Sequence, residues 1–184
     1  ALVFAGTYFS GPEADHWLDR GISILDREIP EQILPDGGHF ELSPMYHALI
    51  FEDMLDLCNL LECYKSNLRS QSLKLLEACN KATSNMLMWL DAMSHMDGEL
   101  SFFNDAAFGI APSSFELRQY ASRLGISNLC VQNKSKDLAH SGYMRLEVDN
   151  VVALLDVALV GPDYLPGHAH ADTLSFELSL YGQR

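Results

Sequence analysis

One change of rhythm decides what this chain can fold into. Up to about Ile126, apolar residues recur at helical spacing. Beyond it they run in short β-branched blocks or alternate with polar residues. Ala1–Ser10 reads as the end of a helix. Gly11-Pro12-Glu13 opens another, carried by Trp17, Ile22, Ile24, Leu25 and Ile29 and closed by Pro30. Ser43-Pro44 starts the next, with Leu49, Ile50, Met54, Leu57 and Leu61. Leu73, Leu76, Met86, Leu87 and Leu90 mark a further long helix that ends in the Asp97-Gly98 turn. Phe115–Leu124 is a short helix capped by Ser113 or Ser114 and stopped by Gly125. After it come two strands, Tyr143–Val148 and Val151–Ala158, joined by an Asp149-Asn150 hairpin turn. Thr173–Tyr181 alternates strictly, with Leu174, Phe176, Leu178 and Leu180 on one side and Ser175, Glu177 and Ser179 on the other, as in a half-buried antiparallel strand. Helices followed by strands predict a segregated α+β architecture, with a helical domain over 1–126 and a β domain over 127–184. The sequence shows no internal repeat and no low-complexity segment.

Composition narrows the function classes. Hydrophobic residues make up 48% of the 184 and charged residues 20%, enough for a packed core. The longest apolar runs, such as Val151–Leu155 and Val157–Val160, fall far short of the ~20 residues of a membrane span. The net charge of -13 argues against a nucleic-acid partner. An acidic glycan is not excluded, because a cleft can be locally positive on an acidic protein. Cys58, Cys63, Cys79 and Cys130 form no C-x-x-C pair and read as buried thiols, with a disulfide left open. The chain has no starting Met and no leader-like segment, and it reads as a piece of a longer protein. Asn133-Lys134-Ser135 fits a glycosylation sequon. His16, His95 and His140 are isolated, and Asp53 and Asp56 fit a solvated helix face.

Three clusters could carry chemistry. The first is Asp36-Gly37-Gly38-His39-Phe40-Glu41-Leu42-Ser43-Pro44-Met45-Tyr46-His47. Tyr46 and His47 fall in a first helical turn, where free N–H groups favour anions and a Tyr or His can exchange protons with an acidic sugar. His39 and Glu41 are candidate substrate contacts beside them. A turn plus a capping region would use the same residues. The second is Gly161–Asp172, in which His168 and His170 follow a Pro/Gly-rich loop. Imidazole there suits proton transfer or metal binding, and Asp172 is the one near third ligand. A polar loop at a sheet end is the plainer account. The third is Phe102-Phe103-Asn104-Asp105-Ala106-Ala107-Phe108-Gly109, where Asn104 could hold a carboxylate and Asp105 a sugar hydroxyl. An Asx turn would need the same pair.

In this order, DGGHFELSPMYH at Asp36–His47, FFNDAAFGIAP at Phe102–Pro112 and YLPGHAHADTLSFEL at Tyr164–Leu178 resemble the heparinase II/III-like family, over nearly the whole chain. The resemblance implies an incomplete (α/α) toroid followed by the start of an antiparallel β-sandwich. It also implies a bacterial polysaccharide lyase that acts on a uronic acid-containing polysaccharide by β-elimination. The family tyrosine falls on Tyr46, an acid and in some members also a base. The family histidine of the sandwich loop falls on His168. His170 matches a zinc ligand of several members, whose remaining ligands would lie beyond Arg184. The residue that meets the substrate carboxylate would precede Ala1, so these residues alone would carry part of a site. A periplasmic or cell-surface setting follows only from the substrate class.

Two other readings use different residues. A glycoside hydrolase of toroid shape would need two carboxylates about 5–10 Å apart, for which Glu41 and Asp105 are the candidates. A non-catalytic glycan-binding protein would stack sugars on aromatics such as Trp17, Trp89 and Phe103.

Overall fold

A computed structural model describes residues 1–127 and 135–184. Cys130 and the Asn133 sequon lie outside the described residues. Five α-helices come first: α1 (Leu2–Tyr8), α2 (Pro12–Gln32), α3 (Pro44–Cys63), α4 (Ser70–Ala92) and α5 (Ser114–Arg123). Four strands follow: β1 (Lys136–Leu138), β2 (Tyr143–Val148), β3 (Val151–Asp156) and β4 (Phe176–Leu180). The strands form one antiparallel sheet in the order β1-β2-β3-β4. The α+β division expected from the change of rhythm is therefore present, with helices and sheet segregated along the chain.

The helical boundaries show what local signals decide. Pro44 at the first position of α3 and the Ser113–Glu116 capping box of α5 place those starts where the sequence puts them. Pro30 does not close α2, which runs on to Gln32. Pro30 is exposed and lies in the last turn, so water can take the place of the backbone bond it cannot make. Similarly, α4 stops at Ala92, ahead of the Asp97-Gly98 turn, because Ser94 turns out to pair with Leu100.

Two apolar clusters hold the molecule together. One lies among the helices and includes Phe51, Leu55, Leu61, Leu75, Met86, Leu90 and Leu117, all buried. The second joins helices to sheet: Trp89 of α4 and Met93 just beyond it pack with Leu42, Phe103, Leu138, Tyr143, Val152 and Leu154. Burial of each large side chain there contributes about 1.5–3 kcal/mol. Arg145 of β2 fastens the same seam. Its Nη1 donates to Ala92 O at 3.0 Å and to Ser94 O at 2.6 Å, covering carbonyls that the end of α4 leaves open. Cys58 and Cys79 are buried free thiols in the helical core, as expected, whereas Cys63 is exposed at the end of α3.

The sheet's two faces are unlike. Tyr143, Val152, Leu154 and Ser179 face the helices and are buried. Leu146, Val148, Val151, Phe176, Leu178 and Leu180 face outward and are exposed. The strand read over Thr173–Tyr181 is shortened to Phe176–Leu180, with Leu174 and Tyr181 in left-handed backbone at its ends, and its sides are reversed from a simple apolar-in strand: Ser179 is buried and the leucines are not. The reason is His95, buried at the foot of α4, whose Nδ1 meets Ser179 Oγ at 2.5 Å and whose Nε2 meets Glu177 Oε2 at 2.9 Å. An apolar outward face of this kind fits one layer of the β-sandwich that the family resemblance implies.

The sequence shows no internal repeat, but the backbone hydrogen bonds build one turn twice. After α2, Ile33 pairs with His39, Leu34 N donates to Gly38 O, Gly37 N to Leu34 O, and Phe40 N to Gln32 O. After α4, Ser94 pairs with Leu100, His95 N donates to Glu99 O, Gly98 N to His95 O, and Ser101 N to Met93 O. The same turn is built twice, each time followed by a helix. The match escapes the sequence because most of the side chains differ.

Candidate active site

The first of these turns leads into the site. Asp36 Oδ1 accepts from Gly38 N at 3.1 Å and closes the turn. Its Oδ2 reaches across to the sheet and accepts from His140 N, Ser141 N and Ser141 Oγ at 3.0, 2.7 and 3.0 Å. Ser141 Oγ also accepts from Trp89 Nε1 at 2.9 Å. The glycines are needed for closeness: a Cβ on Gly37 would lie 2.2 Å from Asn85 O, and one on Gly38 2.6 Å from Trp89 Nε1.

From this anchored turn the chain passes His39, Glu41 and Leu42 into α3, where Tyr46 is half-buried in the first turn. The loop from Gly161 to Asp172 comes down opposite. It is folded by two tight turns, Leu165 N to Pro162 O and Ala169 N to Pro166 O, and His168 lies in the second with His170 just past it. His168 points into the site and its ring lies 4.0 Å, centroid to centroid, from that of Tyr46. His170 is exposed, and its backbone N–H donates to Asn104 Oδ1 at 3.0 Å. The loop is also held at its start, where Tyr164 Oη donates to Glu31 Oε1 at 2.5 Å.

Carboxylates lie beside both nitrogens of His168. Nδ1 is 2.5 Å from Asp105 Oδ2, and Nε2 is 3.8 Å from Glu41 Oε2. Since Asp105 can only accept when ionised, the short contact places a ring proton on Nδ1. Glu41 Oε2 is also 4.0 Å from Nδ1 of His39. His39 is buried, with neither ring nitrogen paired among the described residues. Burial, and secondarily the charge of His168, pushes its pKa down to about 4. His47 lies deeper, its Nε2 donating to Met86 O at 3.1 Å and its ring 4.3 Å from Trp89. Burial drives its pKa to about 3, assisted by His39 and opposed by the Met86 carbonyl. Both rings are neutral at physiological pH.

Asn104 sits under the site, with φ of 56° and a buried side chain. Its Nδ2 donates to Leu42 O at 3.0 Å and to Tyr143 Oη at 3.1 Å, while its backbone N–H donates to Asp172 Oδ2. Tyr143 Oη donates in turn to Leu42 O at 2.7 Å. Sequence reasoning named Asn104, Asp105 and Asp172 but missed Tyr143, which reads only as the first residue of a strand. Asp36 was visible as a turn residue, not as the anchor of the sheet.

The structure thus brings Tyr46, His168, Glu41 and Asp105 together, seals His39 and His47 behind them, and leaves His170 outside. Among the described residues no three His, Cys, Asp or Glu side chains converge as a metal site requires. Asp172, the nearest candidate third ligand, is bonded to Asn104. The residues present do not by themselves fit the zinc site that the family resemblance implies. Trp89 and Phe103, considered as sugar-stacking aromatics, are core residues. His95 and His140 are tied into the structure, His95 by its ring and His140 by its backbone. Among the described residues, no helix is long and apolar enough to cross a membrane.

Comparison with known proteins finds relatives along the whole chain. The chain is 28% identical to the heparin-sulfate lyase of Pedobacter heparinus over 98% of its own length and 29% of that protein's. A segment covering 34% of the chain is 40% identical to 9% of the heparin-sulfate lyase of Bacteroides thetaiotaomicron. Among solved structures, heparinase III matches 99% of this chain and 32% of its own with a TM-score of 0.75 at 21% identity. Heparan sulfate lyase HepC from Pedobacter heparinus matches 98% of this chain and 30% of its own with a TM-score of 0.69 at 23% identity. These likenesses establish the fold, a helical toroid portion followed by a β region. The chain spans less than a third of the length of the Pedobacter lyase. The family models described as Heparinase II/III N-terminus and Heparinase II/III-like, C-terminal match residues 1–123 and 131–184, and the chain therefore belongs to the heparinase II/III family.

Proposed function

We propose that the protein to which these residues belong is a polysaccharide lyase that cleaves an acidic, uronic acid-containing glycan by β-elimination. The observation that carries this reading is the Tyr46–His168 pair, two proton-transfer side chains from separate motifs with ring centroids 4.0 Å apart. The names of the relatives, heparin-sulfate lyases, support the substrate class.

In such an elimination the C5 proton leaves to a base, the bond from C4 to the glycosidic oxygen breaks, and that oxygen takes a proton from an acid. The electron pair of the C5–H bond becomes the new C4–C5 double bond. His168 Nε2, with its lone pair free of Asp105, is the base in this assignment. Tyr46 Oη, in the same cleft, protonates the leaving oxygen. The imidazolium formed on His168 is stabilised by Asp105 on one side and by Glu41, 3.8 Å away, on the other. We assign His39 and His47 to the floor of the site, since both are buried. The C5 carboxylate needs a partner that we assign to no residue of this chain. A zinc ion held in part by His170 remains a proposal from the family resemblance, and no step above uses it.

The hydrolase reading is less well supported. Its two candidate carboxylates, Glu41 and Asp105, are turned toward one imidazole instead of flanking an open space. The deciding experiment is ultraviolet absorbance of unsaturated uronate product, with whole protein and a panel of acidic polysaccharides. Tyr46→Phe serves as the control. A rise that disappears in the variant supports elimination at this site. New reducing ends without the absorbance would establish hydrolysis instead.

A further inference from the structure

We propose that Asn104 and Asp105 are positioning residues, with Asn104 locking the two loops of the site together and Asp105 fixing the tautomer of His168. The catalytic consequence rests on the lyase reading; the lock itself does not. Sequence reasoning had both residues facing a sugar.

The argument starts from the backbone. Asn104 is in the left-handed region, φ 56°, which a non-glycine residue adopts at a cost unless its surroundings hold it there. Here the holding groups are on the page. Nδ2 grips Leu42 O and Tyr143 Oη, Oδ1 takes the N–H of His170, and the backbone N–H goes to Asp172. One side chain therefore touches the stretch that leads to Tyr46, the first residue of β2, and the loop that carries His168. Only a primary amide offers two donors and an acceptor in this space. An aspartate would place a carboxylate against Leu42 O, and a leucine would leave the His170 N–H without its acceptor and take one bond each from Leu42 O and Tyr143 Oη.

The reversal at Asn104 leaves the next side chain facing the other way, into the cleft. Asp105 Oδ2 meets His168 Nδ1, and Asp105 Oδ1 is buried with no partner among the described residues. Among the described residues, the other groups beside the ring are Tyr46, with its ring centroid 4.0 Å away, and Glu41, 3.8 Å from Nε2. Asp105 is thus what decides which nitrogen carries the proton.

Three variants of the whole protein test this. In Asn104→Ala, hydrogen exchange should rise together in peptides spanning 36–47 and 161–173 while α4 stays protected. Tyr143→Phe, which keeps the packing and removes one corner of the lock, should show a weaker form of the same pattern. A rise confined to residues around 104, or one spread over the whole molecule, would overturn the lock. In Asp105→Asn, nitrogen NMR of labelled histidine should show the His168 proton shifting toward Nε2. Lyase kcat should fall about 10²-fold at unchanged KM. A raised KM at unchanged kcat would instead make Asp105 a sugar contact and refute the positioning role. A wild-type protein inert on every uronate polymer would remove the lyase reading. The exchange and NMR results would still decide the lock and the tautomer.

Discussion

The turn after α2 and the turn after α4 share one hydrogen-bond pattern and serve different ends. In the first, the side chain paired across the turn is His39, and the chain continues through Glu41 to Tyr46. In the second, the equivalent place is Leu100, and the chain continues into Phe102, Phe103 and the Asn104 lock. Each has an aspartate whose Oδ1 closes the turn and whose Oδ2 reaches onward. Asp36 holds the backbone of His140 and Ser141; Asp97 holds Arg184 at 3.1 Å. Backbone geometry was duplicated, and chemistry was placed in one copy and support in the other. The comparison separates what a turn needs in order to form from what it needs in order to act.

The largest test removes chemistry without disturbing either turn. Tyr46→Phe should lower kcat by about 10²–10⁴-fold with folding unchanged, checked by product absorbance and thermal melting. Next comes a paired substitution at matching positions. Gly37 and Gly98 both have positive φ, 94° and 87°, but only Gly37 is pressed against α4. Gly37→Ala should cost about 3–5 kcal/mol, combining strain with a clash against backbone, and Gly98→Ala about 1–2 kcal/mol from strain alone. Urea unfolding of the two variants measures the difference, and equal costs would break the comparison.

The pH dependence of stability gives a third test. His39 and His47 are neutral in the fold, with pKa values of about 4 and about 3, while an unfolded histidine titrates near 6.5. Below pH ~6.5 the unfolded chain binds protons that these two rings in the fold do not. Their effect is to leave stability highest above that pH and to erode it as pH falls toward 3, by up to about 3 kcal/mol for each ring. Replacing His47 with Phe should flatten the acid side of the profile. The smallest effect is expected from the two aspartates. Asp36→Asn should cost about 2 kcal/mol, since three donors lose a charged acceptor. Asp97→Asn, whose partner lies in a more exposed place, should cost under about 1 kcal/mol.

Much of this was legible in the residues. Pro44, the Ser113–Glu116 box and Asp149-Asn150 are local signals, and local signals set helix starts and hairpins. Tyr46 and His168 stood out through the resemblance of their motifs to the heparinase II/III-like family. What could not be read was long-range. Pro30 marks a helix end only when nothing else completes the turn. The reversed faces of β4 depend on His95, more than eighty residues earlier in the chain. Asn104 stood open between a sugar contact and an Asx turn, because an amide's partners, Leu42, Tyr143 and His170, are chosen by the fold and leave no spacing in the sequence. The repeated turn was hidden because it is written in backbone hydrogen bonds.

The outward face of the sheet has a practical consequence. Phe176, Leu178, Leu180, Leu146, Val148 and Val151 form a contiguous greasy plane bordered by a chain of net charge -13. With that plane in contact with water, molecules attract one another through it and repel through their charge, so their colloidal behaviour depends on ionic strength. Added salt screens the repulsion and leaves the attraction intact. Purification of these residues by themselves should therefore fare best in dilute buffer, and light scattering should rise as salt is increased.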